Sequence, residues 1–164
     1  MQPSATRVVV ADSGPLIALG RLDLLSLLGQ LFEQVQVPRA VYIECMARPE
    51  LADAQRIQAS VTSGALMLCD AQPYAASGLD AGESAAIGRA IEIHASLLAD
   101  DLAARQCAHA LGLVVIGTLG VLVRAKRKGL VLEVRVLIER LQASGHRLSA
   151  TVAADALAAA GEMP

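Results

Sequence analysis

Val8-Val9-Val10-Ala11-Asp12-Ser13-Gly14-Pro15 is the stretch whose reading decides the fold. Four consecutive apolar residues make the short unbroken run that a strand buried on both faces requires. A carboxylate ends the run. Gly14-Pro15 then breaks the extended path, and Leu16-Ile17-Ala18-Leu19 resumes as an apolar segment. An acid at the carboxyl end of a buried strand, ahead of a helix start, lies where open α/β sheets place ligands. Asp12 and Ser13 are equally residues that cap helices, so Asp12 alone does not define a site. Other acids must reach the same edge.

Downstream, Leu16 to Leu28 is expected to form two short helices with a break at Gly20-Arg21. Phe32 to Val37 reads as a second strand, ended by Pro38, whose fixed φ and missing donor suit a helix start. The helix that follows, Arg39 to about Ala47, is expected to carry Ala40, Ile43 and Ala47 on its apolar face, with Glu44 at the border. Another helix is expected over Leu51 to Ser63, and Leu66 to Cys69 reads as a third buried strand. Asp70 to Gly78 reads as loop. Asp80 to Ile93 has the clearest helical periodicity, through Ala85, Ile87, Ala90 and Ile91. It opens with Asp80 followed three residues later by Glu83, the pattern of a capping box. Ser96 to Ala99 is a fourth apolar run, ended by Asp100-Asp101. A helix over Leu102 to Leu111 stops at Gly112, and Leu113 to Ile116 is a fifth run, ended by Gly117-Thr118. Helices are expected over Leu119 to Lys128, Val134 to Ala143 and Ser149 to Ala160.

Strands alternating with helices imply an α/β domain with a mainly parallel sheet and helices on both faces. Right-handed crossovers bring the carboxyl ends of the strands to one edge. The 164 residues read as a single domain, 1–164, in which roughly 134–164 form a C-terminal helical extension that covers one side or makes an oligomer contact.

Composition narrows the function classes. With 54% hydrophobic and 18% charged residues, the chain still has no apolar run near the roughly 20 residues of a membrane span. The first seven residues lack the apolar segment of a signal peptide. Cys45, Cys69 and Cys107 are odd in number and widely spaced, which argues against a disulfide framework or structural zinc and for reduced cytosolic core residues. A formal charge of −2 gives no global field for nucleic acid, and one Phe, two Tyr and no Trp leave little for base stacking. A small enzyme acting through local contacts remains compatible with these values.

On this layout Asp12 and Asp100-Asp101 leave the same sheet edge, and Glu44 and Glu83 lie on helical segments able to lean over it. Carboxylates gathered together repel unless a cation neutralises them. Oxygen donors without clustered thiolate or imidazole favour Mg²⁺ or Mn²⁺ over zinc. Such an ion activates bound water against a phosphodiester and neutralises charge on phosphoryl oxygens. Each acid also has a structural role open to it. Glu83 serves as the third residue of a capping box, and either Asp100 or Asp101 serves as the N-cap of the next helix, leaving the other as the ligand. Glu44 is open to a solvated flank position. Arg105, about one turn beyond Asp101, is placed to reach a phosphate. Thr118 is open either to a hydrogen bond with the site or to capping. The basic run Arg124, Lys126, Arg127 and Lys128 also fits a helix C-terminus. His94, His109 and His146 show no ligand spacing.

Five pieces in order resemble a known family: Asp12-Ser13-Gly14-Pro15-Leu16-Ile17, Pro38 to Glu44, Leu79 to Ile87, Ala99-Asp100-Asp101, and Ile116 to Leu122. Together they look like a PIN-like domain, of a bacterial and archaeal subfamily described as predicted nucleic-acid-binding proteins. The resemblance implies a three-layer α/β/α sandwich with about five short strands, an acidic Mg²⁺ (or Mn²⁺) site and ribonuclease activity. It also implies the toxin half of a type II toxin–antitoxin pair, a cytoplasmic homodimer bound by a small antitoxin protein. Carried over by position, Asp12, Glu44, Glu83 and Asp100 match the family's acids, with Asp101 as substitute or helper. The family commonly has a second hydroxyl residue where Gly14 stands, so Ser13 alone would support the Asp12 loop.

Other readings fit less well. A phosphoryl-accepting receiver domain carries its acidic pair near the first strand, whereas here the pair follows a late one. Haloacid-dehalogenase-like phosphatases require a second Asp at position 14. No G-x-G-x-x-G follows a strand, which leaves dinucleotide binding without support. The competing reading of a different class is a catalytically inactive PIN-like domain that binds nucleic acid or protein.

Overall fold

The computed structural model describes residues 7–163, so all but the last residue of the N-terminal stretch read for a signal peptide lies outside the described residues. Its centre is β1 (Val8–Ala11), paired in parallel with β2 (Gln34–Pro38) on one side and β4 (Ser96–Leu98) on the other. β3 (Met67–Cys69) joins β2 and β5 (Val115–Ile116) joins β4, both parallel, giving the order β3-β2-β1-β4-β5. Val9, Val10 and Ala11 are wholly buried, as a strand covered on both faces demands. Each such valine contributes on the order of 1.5–3 kcal/mol of hydrophobic free energy relative to exposure.

Nine helices complete the described residues: α1 (Ser13–Arg21), α2 (Ser26–Leu31), α3 (Arg39–Cys45), α4 (Ala52–Thr62), α5 (Ala81–Ile93), α6 (Leu102–Ala110), α7 (Thr118–Arg127), α8 (Val134–Ala143) and α9 (Ala150–Ala159). α5 packs on β1, β2 and β4, whereas α1 packs with α3, α4 and α7. The result is a three-layer α/β/α sandwich around an all-parallel sheet. α8 and α9 pack on α7 and on each other, and the Arg140 guanidinium reaches the Leu22 carbonyl at 3.3 Å. Among the described residues no helix is long and apolar enough to cross a membrane.

Strand order reverses between β1 and β4, because the chain builds outward from β1 to β3 and then returns to the far side. At such a switch point the connections leave in opposite directions and open a crevice at the carboxyl ends. Asp12 and Asp100 stand at its two lips. The Asp12 amide still belongs to the sheet, donating to the Leu98 carbonyl at 2.9 Å.

Three local expectations need correction. The third strand is not buried: β3 is a sheet edge, and Met67 is 45% exposed. The face of α3 is turned from the expected one, since Val41 and Cys45 are buried while Ile43 is 70% exposed and Ala47 is also exposed. In a helix this short, the preceding Pro38 and the sheet set the rotation, and apolar periodicity over two turns is too weak to do so. The first helix does not break at Gly20-Arg21 but after Arg21, with Asp23 in the left-handed region at φ 57° before α2 starts. Cys45, Cys69 and Cys107 are free thiols. Burial chiefly, then the Asp12, Glu44 and Asp53 charges, pushes the Cys45 thiol up to about 12.

Candidate metal and active site

Asp12 is the residue that burial makes most unusual. It is 5% exposed, and its Oδ1 has no hydrogen-bond partner among the described residues. Leaving a buried carboxylate oxygen unpaired is costly, so native proteins rarely do it without a functional reason. Burial first, and then the charges of Asp80, Glu44 and Asp101, push its carboxyl up to about 7, against the Ser13 amide, which favours the ionised form. Ser13 therefore acts on Asp12 through its backbone, as the first residue of α1.

Glu44 reaches the site from α3 and rests on the first turn of α5, where its Oε1 accepts the Gly82 amide at 2.9 Å. The unsatisfied amides of a helix N-terminus attract a carboxylate. Only a glycine permits this approach: a Cβ at position 82 would lie 2.5 Å from Glu44 Oε2 and 2.6 Å from Oε1.

Glu83 closes the capping box anticipated from the sequence. The Asp80 Oδ1 accepts the Glu83 amide at 2.7 Å, and the Asp80 amide donates back to Glu83 Oε2 over a long 3.4 Å. Capping does not remove Glu83 from the acidic edge. Desolvation, then the Asp80 and Asp101 charges, push its carboxyl up to about 7. Asp80 is the acid that sequence reasoning left out of the site. Its capping role was visible, but its charge on both Asp12 and Glu83 required the helix start to be placed in space.

The two neighbouring aspartates divide their work. Asp101 caps α6, its Oδ2 accepting the Ala104 amide at 3.0 Å, and its charge still acts on Asp12 and Glu83. Asp100 turns toward α7 instead. The Thr118 amide donates to its Oδ1 at 2.7 Å and the Thr118 hydroxyl to its Oδ2 at 2.5 Å. Thr118 is 1% exposed and does not cap its own helix, which starts at Thr118 after Gly117. Gly14 lies beside the same carboxylate, since a Cβ there would be in ordinary contact, 3.5 Å from Asp100 Oδ2. A Cβ therefore has room at position 14, and in this chain the hydroxyl on Asp100 comes from Thr118. Hollows of about 480 and 410 Å³ flank the acids, one beside Pro38, Leu79 and Asp80, the other beside Asp100, Arg105 and Gly117.

Among the described residues no group of three or more His, Cys, Asp or Glu side chains is already gathered about one metal position. The donors present nevertheless suit a hard divalent cation: Asp12 carries an orphaned buried oxygen, the surrounding groups are carboxylates, and they repel one another. Magnesium in particular keeps several waters and takes one or two carboxylates together with substrate phosphate, without an all-protein cage.

The fold is a parallel α/β/α sandwich whose acids gather at the carboxyl ends of the strands beside its switch point. A family model described as "DUF3368: PIN domain" matches residues 8–162, and the chain belongs to that family. PIN domains are generally nucleases and typically bind a divalent metal. Among solved structures, the chain is similar to a PilT N-terminus domain protein, SSO1118, from the hyperthermophilic archaeon Sulfolobus solfataricus P2. That likeness has 20% identity and a TM-score of 0.47 over 72% of this chain and 92% of the other. No curated protein matches the chain significantly.

Proposed function

We propose that the protein is a divalent-metal-dependent endoribonuclease that hydrolyses phosphodiester bonds of single-stranded or structured RNA. The observation that carries this reading is Asp12: a buried carboxylate with an unpartnered oxygen, pressed by Glu44, Asp80 and Asp101 at the switch point of the sheet. Asp12, Glu44 and Asp100 would hold Mg²⁺ or Mn²⁺, with Glu83 and Asp101 adding charge at the rim. When bound, the ion lowers the pKa of water and neutralises charge on the phosphoryl oxygens. The chain's own groups supply the positioning. Thr118 fixes Asp100, and the α5 N-terminus fixes Glu44. Arg105 lines the hollow beside Asp100 and is available to a phosphate.

The toxin role in a type II pair, the homodimer, the small antitoxin and a cytoplasmic location follow from the resemblance of the ordered motifs to the toxin-type family, and belong to the same proposal. RNA cleavage with and without Mg²⁺ by wild type and Asp12→Asn tests the core of it. Metal-dependent cleavage lost in Asp12→Asn is expected, and equal cleavage by the two proteins removes Asp12 from the mechanism. The second reading, an inactive PIN-like binding domain, draws on the absence of a pre-gathered metal cage among the described residues. It requires that neither Mg²⁺ nor Mn²⁺ stabilise the wild type.

A further inference from the structure

Three arginines that make no ion pair among the described residues line one hollow. Arg105 comes from α6, Arg124 from α7 and Arg147 from the turn between α8 and α9. With His146 they border a cavity of about 410 Å³ that Asp100 also lines. Arg7, Arg39, Arg48, Arg56, Arg89 and Lys126, by contrast, each pair with a carboxylate. The fold thus divides the basic run of the sequence. Lys126 Nζ is spent on Glu162 Oε2 at 3.0 Å, and the Arg127 guanidinium donates to the Ala159 carbonyl at 2.9 Å, while Arg124 lines the hollow.

We infer that this hollow is a subsite for the sugar–phosphate backbone of single-stranded RNA, taking nucleotides that flank the phosphodiester at the acidic edge. The inference rests on the nuclease reading and adds to it a strand path. Guanidinium groups present paired donors that match phosphate oxygens. Asp100, the carboxylate lining the hollow, accepts two hydrogen bonds from Thr118, and among the described residues it forms no ion pair with these arginines. The cations also begin at the site itself: the space above Gly117 is 3.1 Å from Asp100 Oδ1 and 3.3 Å from Arg105 Nη1. In a chain of net charge −2, such a cluster is a local attractive field beside a repelling acidic edge. Leu119 and Leu148 add apolar surface to the lining. Together with the guanidinium planes they offer bases a stacking surface that the scarce aromatic residues do not supply.

Fluorescence anisotropy of a labelled oligouridine in EDTA, where cleavage is blocked, reads the subsite directly. The double variant Arg124→Gln/Arg147→Gln is expected to bind about ten- to a hundredfold more weakly. The slope of log affinity against log salt should become shallower by about 1.4, or about 0.7 per lost cation on a single strand. Arg21→Gln, an exposed cation at the end of α1, is expected to bind as wild type does. Single variants, each carrying about half of the slope change, keep the test open should the double variant misfold. Equal affinity and slope for wild type and variants overturn the subsite. So does intact RNA binding with lost binding of a polyglutamate peptide, which would make the hollow a protein-docking surface. Failure of the nuclease reading looks different: the arginine variants would lose RNA while wild type showed no metal-dependent cleavage.

Discussion

Thr118 grips Asp100 with two donors at once, its amide at 2.7 Å from Oδ1 and its hydroxyl at 2.5 Å from Oδ2. The amide comes from the first turn of α7, so the helix terminus and a side chain fix one carboxylate together. Thr118→Val keeps the shape and the amide but removes the hydroxyl. A stability loss of about 1–3 kcal/mol is expected from the unsatisfied oxygen. The cleavage rate should fall about tenfold or more through kcat, with Thr118→Ser restoring most of it. Unchanged kcat in Thr118→Val would show that the orientation of Asp100 does not matter to the reaction.

Gly82 makes room for Glu44. In Gly82→Ala the carboxylate, the end of a flexible side chain, has to leave the α5 amide while the backbone stays in place. The variant is therefore expected to fold with a melting temperature close to that of wild type but to bind Mn²⁺ about tenfold more weakly, the scale of losing one orienting contact at a metal site. Calorimetric titration checks this, and wild-type affinity in Gly82→Ala would remove Glu44 from the metal's surroundings.

The acidic edge sets a pH dependence whose sign is fixed. The carboxyl of Asp12 is raised from an ordinary 3.8 to about 7 by burial, so between those values the folded state holds a proton that the unfolded state has released. Without metal, stability attributable to Asp12 is therefore full below about pH 4 and falls as pH rises to about 7, with no further change above. Glu83 adds a smaller change of the same sign, because it is more exposed to solvent. Asp12→Asn should abolish most of this slope and stabilise the metal-free protein at pH 8 by about 2–4 kcal/mol. Urea melts in EDTA across this range decide the matter, and a flat wild-type profile contradicts the buried unpaired carboxylate.

A divalent cation should reverse that penalty. At a concentration about one hundred times its dissociation constant it stabilises the wild type by about 2.7 kcal/mol. Thermal melts at pH 8 with Mg²⁺ or Mn²⁺ are expected to shift upward for wild type and far less for Asp12→Asn. A wild-type melt that neither ion moves would favour the inactive binding domain.

The β-run from Val8 to Ala11, the capping box at Asp80 and Glu83, and the alternation of strands with helices were all legible as local patterns. They arise within a few residues, where propensity and periodicity act. The exposure of Met67, the rotation of α3 and the length of α1 were not, since sheet position and packing decide them. The same division runs through the site. The acids were visible as acids, but the Thr118 grip spans 18 residues and the Glu44 contact with Gly82 spans 38.

By itself the sequence determined that Asp12 ends a buried strand, that acids recur at later strand ends, and that the chain makes a parallel α/β sheet. Those outcomes follow from apolar runs and their breakers, which act over a turn or a strand. Only the tertiary structure decided that Asp101 caps while Asp100 turns to Thr118, that Asp80 shares the edge, and that Arg124 parts from Lys126 to meet Arg105 and Arg147. Charge and burial depend on neighbours brought close by packing, and one-dimensional spacing carries no record of which carboxylate loses its water.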